Sequence, residues 1–327
     1  MRIGSLMPAG SALWAERLAA LPSRFPGQQF VADPAAVLAD PGSFDALLAS
    51  KVDPAFLEGA SSLKALFLSI TGVNHLPLEL LAARGVRLFN VHGNAESVAQ
   101  CALAMTLAFY GRTIEYHNDL KRTAWHGFWV GKGAEDEWNS LFRRKCAVFG
   151  TGAIGQALAK LLKAFDCEVV GYRSRSGEPT PPNFDRVEPD FSRAVAGAEL
   201  LYVTLPLSPS TQGLFSKEVL LSARGKFIVN VGRGAVIDEE GLYLALRDGI
   251  LKGAGIDTWY QYPKAGATSG APSRFPIHEL PNVILSPHVG GSTREASVIA
   301  ADQTIENLAS WLETGSCGRE VDLARRY

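Results

Sequence analysis

Lys145-Cys146-Ala147-Val148-Phe149-Gly150-Thr151-Gly152-Ala153-Ile154-Gly155 is the stretch that decides the fold of the chain's second half. Cys146 to Phe149 is a short apolar run of strand type, and Leu158, Leu161, Leu162 and Phe165 mark one face of a helix just beyond it. Strand, glycine turn and helix in immediate succession predict the opening βα unit of a dinucleotide-binding sheet. Gly150 permits the tight turn, Gly152 lets backbone approach a pyrophosphate, and Gly155 lets the helix pack on its strand. Backbone N–H groups and the helix dipole then hold the anion.

Working outward, further apolar runs predict strands at about 167–172, 200–206, 226–231, 253–259 and 282–287. Most are continuously apolar, as expected of parallel strands buried on both faces by helices. In the first ninety residues, runs at 2–6, 45–49, 63–70 and 86–91 alternate with amphipathic stretches, a second β/α alternation. Val98, Cys101, Ala102, Met105 and Leu107 give a long helix from about Ala95 to Arg112, and another helix runs over about 293–312. The segment from 113 to 143 reads as irregular, a connecting arm or an oligomer contact.

The whole chain, 327 residues with 47% hydrophobic and 20% charged, has the length for two domains and the composition of a folded globular protein. A net charge of -1 provides neither a basic stripe for nucleic acid nor a polybasic membrane anchor. No stretch of about 18 consecutive apolar residues suggests a membrane span. Cys101, Cys146, Cys167 and Cys317 lie far apart with no C-x-x-C pair and no histidine at ligand spacing, so no metal site is expected and the thiols read as reduced. A small-molecule partner and a cytoplasmic location are the expectations.

A strand-ending Asp or Glu about twenty residues beyond the glycine turn would bind the ribose 2′-hydroxyl of NAD. Here the second strand ends Tyr172-Arg173-Ser174-Arg175. Two guanidiniums and a hydroxyl favour a 2′-phosphate through charge-assisted hydrogen bonds, so NADP(H) is preferred, with NAD(H) possible. Arg173 and Arg175 also read as an ordinary solvated turn.

Ligands of open α/β sheets sit beyond the carboxyl ends of the strands. Three residues stand there: Arg233 after the run 227–231, Asp257 within Gly253-Ala254-Gly255-Ile256-Asp257, and His288 after the run 283–285. A 2-oxo acid needs a fixed cation for its carboxylate and a proton donor for the oxygen that gains charge when hydride reaches C2. Arg233 has the planar fork for the first role, and His288 titrates in the range for the second. Asp257 is placed to meet the nicotinamide end. Singly, each is equally a surface charge or a turn residue; together they favour a site.

These residues resemble the D-isomer-specific 2-hydroxyacid dehydrogenase family, through LKALFLSITGVNHL (63–76), GNAESVAQCALAMTLA (93–108), GTGAIG (150–155), LPLSPSTQGLF (205–215), NVGRGAVIDEEGL (230–242), GAGIDTW (253–259) and NVILSPHVGGST (282–293). The resemblance implies a Rossmann doubly wound parallel sheet over 96–292. With it comes a second, flavodoxin-like α/β substrate domain formed from both chain ends, 1–95 and 293–327, with substrate in the cleft between. It implies Arg233 as the substrate-carboxylate arginine and His288 as the acid/base. Asp257, His288, Gly290, Val231 and Gly232 then line the nicotinamide side, and Thr204, Leu205 and Pro206 the adenosine side, with Gly150, Gly152, Ala153, Ile154, Gly155 and 172–175 completing the cofactor set. Ile70, Thr71, Gly72, Val73 and Asn94 fall where the first domain touches substrate, and a homodimer is implied.

One position departs from the family pattern. A Glu five residues after the aspartate ordinarily pairs with the histidine; here that position is Tyr262. A neutral phenol cannot stabilise imidazolium by charge, so a lower His288 pKa and reduction at more acidic pH are expected. The formate dehydrogenases of the family also lack that acid, which keeps formate oxidation as an alternative, beside a catalytically inactive nucleotide-sensing protein. The insertion at 263–276 reads as a surface loop in preference to a lid.

Overall fold

The structure, a computed structural model, describes residues 1–8, 10–175 and 177–325. It divides into two compact units, 1–94 with 292–327 and 95–291.

The first unit is a five-stranded parallel sheet in the order β2-β1-β3-β4-β5. Its strands are β1 (Arg2–Ser5), β2 (Gln29–Val31), β3 (Ala46–Ala49), β4 (Ala65–Leu68) and β5 (Arg87–Phe89), with helices α1 (Ala12–Arg24), α2 (Pro34–Ala39), α3 (Pro54–Gly59) and α4 (Leu78–Ala83) between them. This is the flavodoxin-like order. Strand β2, only three residues long, is absent from the sequence reading. Alternate residues of β3 and β4 feed opposite faces, Leu47 and Leu66 into one core and Leu48 and Phe67 into the other. Phe67 stacks on Phe89 at 4.8 Å and meets Trp311 edge-on at 5.7 Å. Trp311 belongs to the C-terminal helix Arg294–Thr314, so the last segment of chain closes the first unit.

The second unit opens with α5 (Ala95–Tyr110), followed by α6 (Thr113–Lys121). Its seven parallel strands are β6 (Lys145–Phe149), β7 (Glu168–Tyr172), β8 (Arg186–Glu188), β9 (Leu200–Val203), β10 (Phe227–Asn230), β11 (Gly253–Ile256) and β12 (Val283–Leu285), with helices α7 (Ala153–Lys163), α8 (Phe191–Ala196), α9 (Lys217–Ser222) and α10 (Glu239–Arg247). The order β12-β11-β10-β9-β6-β7-β8 is a Rossmann arrangement with one added strand. Its topological switch lies between β6 and β9, at the carboxyl end of β6, where the glycine turn sits. β8 has the sequence Arg-Val-Glu at a sheet edge, and an edge strand needs no apolar run, so its absence from the sequence reading follows.

The segment after Tyr110 corrects the irregular reading. Arg112 takes the left-handed conformation (φ 48°) and α6 begins at the next residue. The rest of the segment is tied down by polar groups that carry no periodicity. His126 Nδ1 lies 2.7 Å from an Asp136 carboxylate oxygen and Nε2 lies 2.9 Å from Asp119, while Arg112 is paired with Glu115 and Asp136. Phe128 and Trp129 on this segment are more than four-fifths exposed.

Candidate functional site

Three turns at the carboxyl ends of the neighbouring strands β10, β11 and β12 carry Arg233, Asp257 and His288. The turn after β10 is built around Asn230, whose side chain is 2% exposed. Its Nδ2 donates to the Arg233 carbonyl (3.0 Å), and its Oδ1 accepts from Gly232 N–H (3.1 Å). A Cβ at Gly232 would stand 2.5 Å from the Leu205 carbonyl oxygen, and one at Gly234 2.4 Å from that of Trp259. The backbone of this turn therefore packs on its neighbours at a distance only glycine permits. Arg233 Nη1 donates to the Gly232 carbonyl at 2.7 Å. Burial presses its pKa downward, yet a guanidinium stays charged.

Asp257 at the end of β11 is buried, and its carboxylate is saturated from the third turn. Oδ1 accepts from Ser286 Oγ (2.5 Å) and Val289 N–H (2.9 Å), and Gly290 N–H reaches both oxygens at 3.2–3.3 Å. His288 lies inside this clasp with φ 59°, a left-handed conformation that non-glycine residues seldom adopt. Trp259 Nε1 adds a bond to the Ser286 carbonyl (2.8 Å), joining the second and third turns.

The imidazole of His288 lies against the ring of Tyr262, centroids 5.4 Å apart and planes at 46°. The phenol oxygen itself accepts from Trp259 N–H at 3.1 Å. Withdrawal of His288 from bulk water pushes its pKa below the ordinary value. Asp257 pulls it upward and the Arg233 charge pushes it further down. Tyr262, half-buried, titrates above the usual phenol range because burial outweighs the Trp259 bond and the Arg233 charge.

The glycine turn fits a dinucleotide diphosphate. Gly150 has φ 111°, and a Cβ there would meet Thr204 Oγ1 at 2.7 Å. At Gly155 it would stand 2.0 Å from the Gly150 carbonyl oxygen. At Gly152, the residue that opens α7, nothing lies within 4 Å and no side chain caps the helix. The eleven-residue helix whose first residues are Ala153 and Ile154 thus starts without a side-chain cap, beside a residue with no side chain of its own. Thr204, beside Leu205 and Pro206, holds the turn by donating to the Phe149 and Gly150 carbonyls at 3.1 and 3.0 Å. Tyr172 packs its ring into the core on Phe149 and Phe191, 5.5 Å from each, and its carbonyl accepts from Gly150 N–H. Arg173, Ser174 and Arg175 follow at the strand end.

In the first unit, Ile70, Thr71, Gly72 and Val73 leave the carboxyl end of β4. Thr71 Oγ1 donates to Asn94 Oδ1 at 2.9 Å, and Asn90 Nδ2 donates to the Thr71 carbonyl at 2.7 Å. These residues are thereby brought together at one sheet edge.

The NAD-binding domain model of the D-isomer specific 2-hydroxyacid dehydrogenases matches residues 103–290. The glyoxylate/hydroxypyruvate reductase B of Pectobacterium carotovorum is 30% identical over 267 residues, 80% of each chain. The chain belongs to the D-isomer specific 2-hydroxyacid dehydrogenases. It is thus an NAD(P)-dependent oxidoreductase. Among solved dehydrogenases, it is similar to an NADPH-dependent glyoxylate/hydroxypyruvate reductase from Sinorhizobium meliloti in complex with citrate. That match has TM-score 0.75 and 25% identity, covering 99% of this chain and 98% of that one. It shares its fold with an NAD-dependent formate dehydrogenase from Staphylococcus aureus in complex with NAD (TM-score 0.73, 22% identity, 98% of each chain).

Two residues of this dehydrogenase that hold the site together were missed in the sequence. Asn230 and Ser286 act through backbone and carboxylate bonds, and their only sequence signal is an amide and a hydroxyl closing otherwise apolar strands. The insertion at 263–276 is anchored at its far end. Glu239 accepts from Ser273 Oγ (2.9 Å), Arg274 N–H (2.7 Å) and Arg274 Nε (2.7 Å), and the Pro272 carbonyl accepts from Tyr260 and Gln261 N–H.

Proposed function

We propose that this dehydrogenase reduces a small 2-oxo acid of the glyoxylate or hydroxypyruvate class to the 2-hydroxy acid, with NADPH as preferred cofactor. The observation that carries the reading is the meeting of a fixed guanidinium and a titratable imidazole on interlocked turns of one sheet edge. With its diphosphate held at the glycine turn, NADPH would supply at the strand ends of Asp257 and His288 the hydride that C2 accepts. Arg233 binds the substrate carboxylate and polarises the adjacent carbonyl. His288, as imidazolium, donates its proton to the C2 oxygen as charge develops there and is left neutral. Asp257 acts behind His288, fixing its turn and supporting its charged form. Arg173, Ser174 and Arg175 favour the 2′-phosphate.

Formate oxidation is the competing reading, favoured by the neutral side chain at Tyr262. Removing hydride from formate leaves carbon dioxide and calls for no imidazolium. Purified protein mixed with NADPH or NADH and a panel of 2-oxo acids, with formate and the oxidised cofactors as the reverse arm, separates them. Turnover of an oxo acid supports reduction, and turnover confined to formate overturns it.

A homodimer is part of the proposal. Trp125, Phe128, Trp129 and Trp138 present an exposed apolar face on one segment of the second unit, of the kind that marks a protein contact. Sedimentation equilibrium is expected to give a dimer for the native chain and a shift to monomer on Trp129→Lys.

A further inference from the structure

Among the residues after β7, one carboxylate links two guanidiniums. Arg173 Nη1 pairs with one oxygen of Glu178 at 3.0 Å, and Arg175 Nη1 lies 3.6 Å from the other. One carboxylate thus bridges both guanidiniums. Nη2 of Arg173 donates to the carbonyls of Glu178 and of Pro179, the latter at 2.9 Å, while its Nε is buried without an acceptor. The Arg173 side chain is 15% exposed, whereas those of Arg175 and Glu178 are half exposed. Arg173 is therefore held by its own loop, while Arg175 and Glu178 are the more solvent-exposed members of the set.

We propose that Glu178 sets the choice between NADPH and NADH, an inference that rests on the 2′-phosphate reading of Arg173 and Arg175. A ribose 2′-phosphate and the Glu178 carboxylate are competing anions for the same two cations. The phosphate carries the greater charge at neutral pH and three acceptor oxygens, so it displaces the carboxylate and takes over Arg175 and the outer edge of Arg173. With NADH the carboxylate stays on its arginines and is an acid near this strand end able to accept the ribose 2′-hydroxyl. Glu178 thus weakens the phosphorylated cofactor and supports the other, and the chain's selectivity is narrower than its two arginines alone would give.

The test is calorimetric binding of NADPH, NADH, adenosine 2′,5′-bisphosphate and adenosine 5′-monophosphate to the native chain, Glu178→Gln and Arg175→Ala, with a thermal melt to confirm that each is folded. Glu178→Gln is expected to tighten NADPH and the bisphosphate about five-fold and to weaken NADH and the monophosphate. Arg175→Ala is expected to weaken NADPH and the bisphosphate alone. If Arg175→Ala acts in that way while Glu178→Gln leaves the NADPH-to-NADH ratio unmoved, the role of Glu178 is refuted and the phosphate reading stands. If Arg175→Ala weakens all four ligands equally, or none, the phosphate reading falls and the inference with it.

Discussion

The imidazole of His288 faces the ring of Tyr262 at 5.4 Å, and the phenol oxygen is turned to the backbone N–H of Trp259. A tilted ring contact supplies no charge to an imidazolium. The group that does supply one is Asp257, one strand end away, and its pull is outweighed by partial burial and by Arg233.

A pKa below the ordinary 6.5 leaves His288 protonated, and competent to donate, only on the acid side. The kcat/KM for 2-oxo acid reduction is therefore full at low pH and falls as pH rises through that lowered value. Tyr262→Glu restores a charge and is expected to move the fall upward by about one pH unit. NMR titration of the His288 ring, run beside the pH–rate profile, checks both; a native midpoint above 7 would refute the account.

Asp257 is a buried acceptor for three donors, so its loss leaves the Ser286–Gly290 turn unsatisfied. Asp257→Ala is expected to cost about 3 kcal/mol of stability and Asp257→Asn, which keeps one oxygen, about half as much. Urea unfolding measures this, and a native-like midpoint for Asp257→Ala would show that the clasp contributes nothing.

Asn230 binds both sides of the peptide that carries Arg233. Asn230→Ala is expected to raise KM for the oxo acid about ten-fold and to weaken the cofactor less, because the arginine is loosened directly while the glycine turn is not touched. Equal losses for substrate and cofactor would point to general disruption instead.

Glu239 makes stability depend on pH. Burial pushes its carboxyl up, but the Arg274 backbone N–H, the Arg274 guanidinium and the Ser273 hydroxyl outweigh it and leave the pKa below the ordinary 4.5. Its contribution is therefore present in full above that unfolded value and fades as pH falls through the folded one. Glu239→Gln is expected to cost about 2 kcal/mol at pH 7 and progressively less in acid, and to speed proteolysis within 263–276. A loss independent of pH would contradict the assignment.

How far the fold was legible depended on burial. Strands covered on both faces, such as β6, β9 and β10, are continuous apolar runs and stood out, as did the glycine turn, where a Cβ at Gly155 would stand 2.0 Å from the Gly150 carbonyl oxygen. Edge strands β2 and β8 lack that signature. The helix α6 and the Asp119–His126–Asp136 staple were hidden because charge pairs, not apolar periodicity, hold them. Arg233, Asp257 and His288 could be placed at strand ends from spacing alone. That Asp257 clasps the His288 turn could not, since a carboxylate accepting from backbone N–H groups leaves no pattern in the residues that donate.

Whether His288 gives its proton to the oxo acid is read from the rate of NADPH oxidation by glyoxylate or hydroxypyruvate in native chain and His288→Asn. Asparagine is the substitution of choice because it tolerates the left-handed backbone at this position. The account predicts a kcat lower by at least about 100-fold with NADPH affinity retained. Turnover at the native rate in His288→Asn would contradict it.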